Sequence, residues 1–228
     1  MLRSTRIVGL SFVTLTVLAV SAAPSHAGGL DLRAGAFFPR ADSNLFADDS
    51  ELYTVQKSDW RGFSGGAEYS FNLSEQFELG LHIDGYGRSI NTEYRDFERP
   101  SGRPNTQTLK LTTAPVGFTL RFVPCGRHHA TPYVGVGADV IYYEYEEFGD
   151  FIDFEDPALN IISDDFVDQR AAGGFHAVAG LRLPINHDFA ITAEGRYLWA
   201  KKDMGEDFRG NKIDLSGPSA FIGVHISF

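Results

Sequence analysis

The stretch Ala220-Phe221-Ile222-Gly223-Val224-His225-Ile226-Ser227-Phe228 closes the chain. Ala220, Ile222, Val224, Ile226 and Phe228 share one parity, and Gly223, His225 and Ser227 lie on the other. Successive side chains of a β-strand point to opposite faces, so this alternation predicts a strand with one apolar and one polar face. Seven further stretches read the same way, giving predicted strands over 30–39, 60–73, 75–90, 107–123, 131–147, 168–185, 188–202 and 212–228. The apolar parity holds, for example, Val134, Val136, Ala138, Val140 and Tyr142 in the fifth and Phe175, Ala177, Ala179, Leu181 and Leu183 in the sixth.

The connections alternate between long (40–59, 91–106, 148–167, 203–211) and tight (Ser74, 124–130, Asn186-His187). That rhythm describes an antiparallel up-and-down meander, and eight such strands can close on themselves and remove both sheet edges. Alternation alone does not say which face is inside. The polar parity is rich in glycine and in charges of both signs, which suits a crowded lumen better than a solvated outer face. By parity, Arg33, Arg88, Arg121, Arg182 and Arg196 can neutralise Glu68, Glu78, Asp84, Asp139 and Glu194, as an enclosed polar interior requires. Phe71, Phe77, Phe122, Phe189 and Phe228 gather at the short-turn end of the apolar face. Phe63, Tyr142, Tyr197 and Trp199 lie toward the other end. Two aromatic girdles around an aliphatic band, with short turns on one side and long loops on the other, fit a membrane-spanning barrel. The expected fold is all-β: an eight-stranded antiparallel up-and-down transmembrane β-barrel.

Composition agrees once this is seen. Mean hydropathy is −0.15, low for helical membrane proteins, but alternation hides the apolar residues of a barrel. The 228 residues carry a net charge of −10 and one cysteine. The acidity argues against nucleic acid, and one cysteine excludes a disulfide framework or a multi-cysteine metal site. Arg3, Arg6, the apolar run from Ile7 to Val20 and Ser25-His26-Ala27 read as a secretory signal peptide over 1–27. The barrel is then expected over 28–228, with the charge sharpened to −12 by loss of the two arginines.

The alternating end at Phe228, Pro115-Val116-Gly117-Phe118 in the fourth strand and Pro132-Tyr133-Val134-Gly135-Val136-Gly137 in the fifth carry a family resemblance. The chain resembles small eight-stranded outer-membrane β-barrels of Gram-negative bacteria, the outer-membrane β-barrel domain class that includes OmpW-like and OmpA/OmpX-like families. The resemblance implies an outer-membrane location, a surrounding of lipid and lipopolysaccharide, and Phe228 as the signal read by the β-barrel assembly machinery. It also implies passive transport of small molecules through a narrow lumen as one function. OmpW-like lumens are markedly hydrophobic, whereas this one is charged. An eight-stranded lumen is just wide enough for side chains, so the leading expectation is a non-enzymatic, monomeric protein that displays surface loops for envelope integrity, binding or adhesion.

Several constellations invite sharper chemistry. His225 and Ser227 share a face, a base and a nucleophile at the spacing of a lipid-modifying enzyme, but at the short-turn end. His176 and Glu194 on neighbouring strands could couple. Cys125 with His128 and His129 in a short turn lacks the ligands of a complete metal site. Gly135-Val136-Gly137 has no glycine at position 140 and no following helix, so it reads as close packing in a strand. The segment 148–168 concentrates Asp150, Asp153, Glu155, Asp156, Asp164, Asp165 and Asp168 without lysine or arginine. It is expected to be a solvated acidic loop, and carboxylates at that density suit Ca²⁺ or Mg²⁺. No other cofactor is expected.

Overall fold

The structure, a computed structural model, describes residues 28–98, 102–124, 130–152 and 160–228. Its elements are β1 (Gly28–Phe37), α1 (Asn44–Leu52), a 3-10 turn (Lys57–Trp60), β2 (Gly62–Asn72), β3 (Phe77–Glu98), β4 (Pro104–Phe122), β5 (Thr131–Ile152), β6 (Ile161–Pro184), β7 (Phe189–Asp203), β8 (Lys212–Asp214) and β9 (Gly217–Ser227). Among the described residues, β1 to β7 and β9 form an antiparallel ring, each strand bonded to the next. It is closed by β9 against β1 from Gly29↔Ser227 to Phe37↔Ser219. Reciprocal bonds between Gly28 and Phe228, at 3.0 and 3.2 Å, fasten the seam. No helix among the described residues is long and apolar enough to cross a membrane.

The eighth expected strand is divided. Lys212–Asp214 is a short rung on β7, and Gly217–Ser227 completes the ring. Two of the tight turns, at Ser74 and Asn186, owe their geometry to short polar side chains. Ser74 Oγ accepts from the backbone N–H of Gln76 and Phe77, and Asn186 Oδ1 accepts from those of Asp188 and Phe189.

The apolar parity faces outward and the charged parity inward. Phe63, Phe175 and Ile222 are 70–71 % exposed, while Glu68 and Arg121 are 1 and 2 % exposed. Burial of charge beneath exposed phenylalanine inverts the soluble pattern and is stable only where lipid covers the outside.

The strands run further than expected. Segments 91–106 and 148–167, read as loops, are mostly strand, and β5 and β6 pair without interruption from Thr131↔Arg182 to Ile152↔Ile161. Along this extension the amphipathic phase reverses. On β5, Val140 and Tyr142 point out, whereas Ile141, Tyr143 and Tyr145 are buried inside. Glu144 and Glu146 then take the outer face, bound by Lys110 at 3.2 and 3.0 Å. Above the reversal the ring encloses an apolar core instead of charge, as a water-surrounded barrel does.

The chain between β1 and β2 fills that upper mouth. Ala41, Leu45, Phe46, Tyr53, Val55 and Trp60 are all buried, with Phe46 edge-on to Trp60 at 5.3 Å and Tyr145 tilted against Trp60 at 6.0 Å. A nine-residue helix is marginal in water, so α1 holds its shape through this docking. Met204, Phe208, Ile213 and Leu215 enter the same core from the β7–β9 connection.

Candidate functional site

Register explains how so many charges fit inside eight strands. Arg33 pairs across β1 with Gly66 on one side and Gly223 on the other, so its guanidinium crosses the lumen over residues without side chains. It donates to Asp84 through Nε and Nη2 at 2.9 and 2.7 Å, and Nη1 reaches Glu68 at 3.3 Å and Glu194 at 3.1 Å. Arg121 donates to both oxygens of Glu68 and to Glu194 at 3.0 Å. Arg196 donates to Asp84 at 2.8 Å and Glu194 at 3.3 Å. Tyr133 adds its hydroxyl to Glu194 at 3.0 Å. Nearer the short turns, Arg182 binds Glu78 at 3.1 Å and lies 3.7 Å from Asp31, which accepts from His225 Nδ1 at 2.9 Å. In the middle, Asp139 sits between His82 Nε2 at 2.8 Å and His176 Nδ1 at 2.6 Å, and His176 Nε2 meets Thr119 Oγ1 at 2.9 Å.

Arg33, Glu68, Glu78, Asp84, Arg121, Arg182, Glu194 and Arg196 therefore meet as guanidinium–carboxylate pairs, and Asp139 meets histidines. Arg88 does not join them. It has the inward parity but lies above the lumen, where it is exposed and donates to the carbonyl of Asp59 at 2.6 Å. Parity fixes the face of a residue and not its height. Asp31 enters the network on the same parity as Arg33, a signal that the sequence carries. His176 is opposite Leu198 on β7, whereas Glu194 is opposite Gly180. Glu194 is thus four residues along the strand, and Asp139 on the diagonal of β5 is the partner instead.

The other candidates separate. Asp164 and Asp165 are consecutive on β6 and point to opposite faces, so their spacing does not gather them around one ion; Asp150 accepts from Ser163 Oγ at 2.7 Å. Asp153, Glu155 and Asp156 lie outside the described residues, as do the segment 1–27 expected to be a signal peptide and Cys125, His128 and His129. Asp168 is buried, accepting from Tyr143 OH at 2.7 Å and the Gly205 amide at 3.0 Å, and so ties the β7–β9 connection to the barrel. His225 and Ser227 line an open vestibule of about 590 Å³ at the short-turn end with Arg182 and His187. His225 turns to Asp31 rather than to Ser227. Phe228 stands exposed at the seam, 5.8 Å from the ring of Tyr69.

The upper core holds a second polar group that alternation gave no reason to expect. Tyr145 OH lies 2.7 Å from Asp49 Oδ2 on α1 and 3.0 Å from Glu147 Oε1 on β5. One phenol proton cannot serve two carboxylates, so the cluster favours a further proton. Burial raises both carboxyls above their ordinary values of 3.8 and 4.5, and the nearness of Glu147 raises Asp49 further. A carboxyl raised in the docked state binds its proton more tightly there than after release. Docking of α1 is therefore strongest below the ordinary carboxylate values and weakens as pH climbs from there through the raised ones. After correction for the base-catalysed intrinsic rate, amide protection in 45–60 should be greater at pH 5 than at pH 8, and Asp49→Asn should flatten that difference. An equal pH dependence in wild type and variant would refute this linkage.

Residues 10–217 match the family model described as the outer membrane protein beta-barrel domain. No curated protein matches the sequence significantly. Among solved structures the chain is similar to OprG from Pseudomonas aeruginosa, with TM-score 0.55 at 12 % identity over 89 % of this chain and 97 % of that one. It is also similar to the Neisserial surface protein A, with TM-score 0.52 at 12 % identity over 90 % and 98 %. At these identities the likeness is one of fold. With charge inside, lipid-suited side chains outside and the ring closed, the match over most of its length shows that the chain belongs to the outer membrane protein β-barrel domain family and resides in the bacterial outer membrane.

Proposed function

We propose that this protein is a closed, non-enzymatic barrel that anchors and displays surface hairpins for binding, adhesion or envelope integrity. The observation that carries this reading is the filled interior. Guanidinium–carboxylate pairs span the lumen, the inserted segment 41–60 fills the outer mouth, and the cavity between them, lined by Asp84, Asp139 and Arg196, measures about 30 Å³. That is room for about one or two water molecules. Solute passage would have to displace both the ion pairs and the apolar core. A lipid-cleaving role is disfavoured by the orientation of His225 toward Asp31 and by the place of Ser227 at the short-turn end, away from the outer leaflet. The barrel acts as a monomer among lipid and lipopolysaccharide, and the β-barrel assembly machinery reads Phe228.

Planar bilayers test the closed state. Refolded protein is expected to give no steady conductance steps between pH 5 and pH 8. Regular steps of uniform size would replace this reading with transport.

A further inference from the structure

The structure assigns a new metal site to the lumen: we propose that His82, Asp139 and His176 bind one divalent transition ion of the zinc class. Among the described residues these three are the group whose ligand atoms lie within 4.8 Å of one another. Two imidazoles and a carboxylate are a donor set for Zn²⁺ and its neighbours, whose bonds of about 2.0–2.2 Å need ligand atoms about 3.3 Å apart. The ring nitrogens already face Asp139 at 2.8 and 2.6 Å, so an outward shift of roughly half an ångström opens the seat.

Three observations set this group apart from an ordinary hydrogen-bonded cluster. The first is a built cradle. Gly117 lies between His82 and Asp139 on the paired strands, and Gly137 lies opposite His176. A Cβ on Gly117 would stand 2.3 Å from the carbonyl oxygen of Ala138 and 2.4 Å from Asp139 Oδ1, and one on Gly137 would stand 2.0 Å from the carbonyl oxygen of Phe118 and 2.4 Å from the His176 ring. The glycines are where the cluster needs space. The second is the state of the rings. Thr119 Oγ1 at His176 Nε2 can accept its proton, which turns the Nδ1 lone pair onto the site as metal ligation requires. His82 is fully buried and its Nδ1 has no hydrogen-bond partner, so ligation through Nε2 places the ring proton at an unpartnered Nδ1, a cost that the metal bond has to offset.

The third is charge. Among the described residues the lumen sets the guanidiniums of Arg33, Arg121, Arg182 and Arg196 against six carboxylates, those of Asp31, Glu68, Glu78, Asp84, Asp139 and Glu194. Asp139 is the one held by imidazoles alone. Buried charge demands compensation, and a divalent cation gives Asp139 the positive partner that neutral imidazoles do not supply. The site is enclosed, so the ion enters as the barrel folds.

The test is to refold the full mature chain with Zn²⁺ or Co²⁺, remove free metal by desalting, and count metal per barrel. Competing histidines are removed in a background carrying His187→Ala, His128→Ala and His129→Ala. About one ion per barrel is expected there, with visible ligand-field bands for Co²⁺. His176→Asn and His82→Gln are expected to reduce retention to background. Should either fail to fold, Thr119→Val, which removes only the hydroxyl behind His176, is expected to weaken binding about 10–100-fold. Absence of retained metal in the background protein, or retention unchanged in the ligand variants or in Thr119→Val, overturns the proposal and leaves proton sharing as the role of the histidines.

Discussion

Replacing Arg121 by leucine is expected to lower the unfolding free energy of the barrel by about 3 kcal/mol, the lower end of the cost of stranding a buried charge. Arg121 is 2 % exposed and holds Glu68 and Glu194 together. Removing it leaves Glu68 with Arg33 at 3.3 Å and Arg196 at 3.9 Å. Those residual partners keep the loss from the upper end of the range. The double variant Arg121→Leu/Glu68→Leu should be more stable than Arg121→Leu alone, because it removes the stranded carboxylate as well. Equilibrium urea unfolding of refolded protein in lipid measures both. A single variant within about 0.5 kcal/mol of wild type, the usual range of a neutral surface substitution, means that the network does not hold the barrel together.

The second large effect concerns the upper mouth. Trp60 is 1 % exposed, lies against Phe46 and Tyr145, and its carbonyl accepts from Tyr86 OH. Trp60→Ala should cost about 3–5 kcal/mol of docking energy. That loss falls on the inserted segment rather than on the strand ring, because the ring is closed by its own ladder. Limited proteolysis within 40–61 should therefore accelerate by roughly 100- to 5,000-fold, while the heat-modifiable folded band persists. Unchanged cleavage would falsify the assignment of Trp60 as the anchor of the segment.

Much of this architecture is readable from alternation, and its failures share one cause. Strand parity says which side of the sheet a residue faces, so the inward charges and outward phenylalanines follow from the sequence. It says nothing of height along the barrel. Arg88 has the right face but stands above the lumen, and the phase reversal through Ile141, Tyr143 and Tyr145 was concealed because apolar residues there occupy both parities. The run Ile141-Tyr142-Tyr143-Glu144-Tyr145-Glu146 does carry the signal: alternation continues while the apolar parity changes. Read in that way, it marks where a strand leaves hydrocarbon for water. The insertion of 41–60 had no comparable signature, since Leu45, Phe46 and Trp60 are too widely spaced to show the face they bury. The pairing of Asp139 with two histidines needed the diagonal register, which follows from turn lengths only after every strand has been placed.

The uninterrupted β5–β6 ladder has a mechanical consequence. A strand rises about 3.3 Å per residue, so the 22 residues of β5 span roughly 70 Å along their own axis. At a barrel tilt of about 40° this becomes roughly 55 Å along the membrane normal, against an apolar band of about 25 Å. The hairpin thus stands off the bilayer like a braced mast, stiffened by its neighbours β4 and β7 at the base. A large partner can engage its upper rungs without approaching the lipid, and the same mast sets the minimum distance at which the cell meets it.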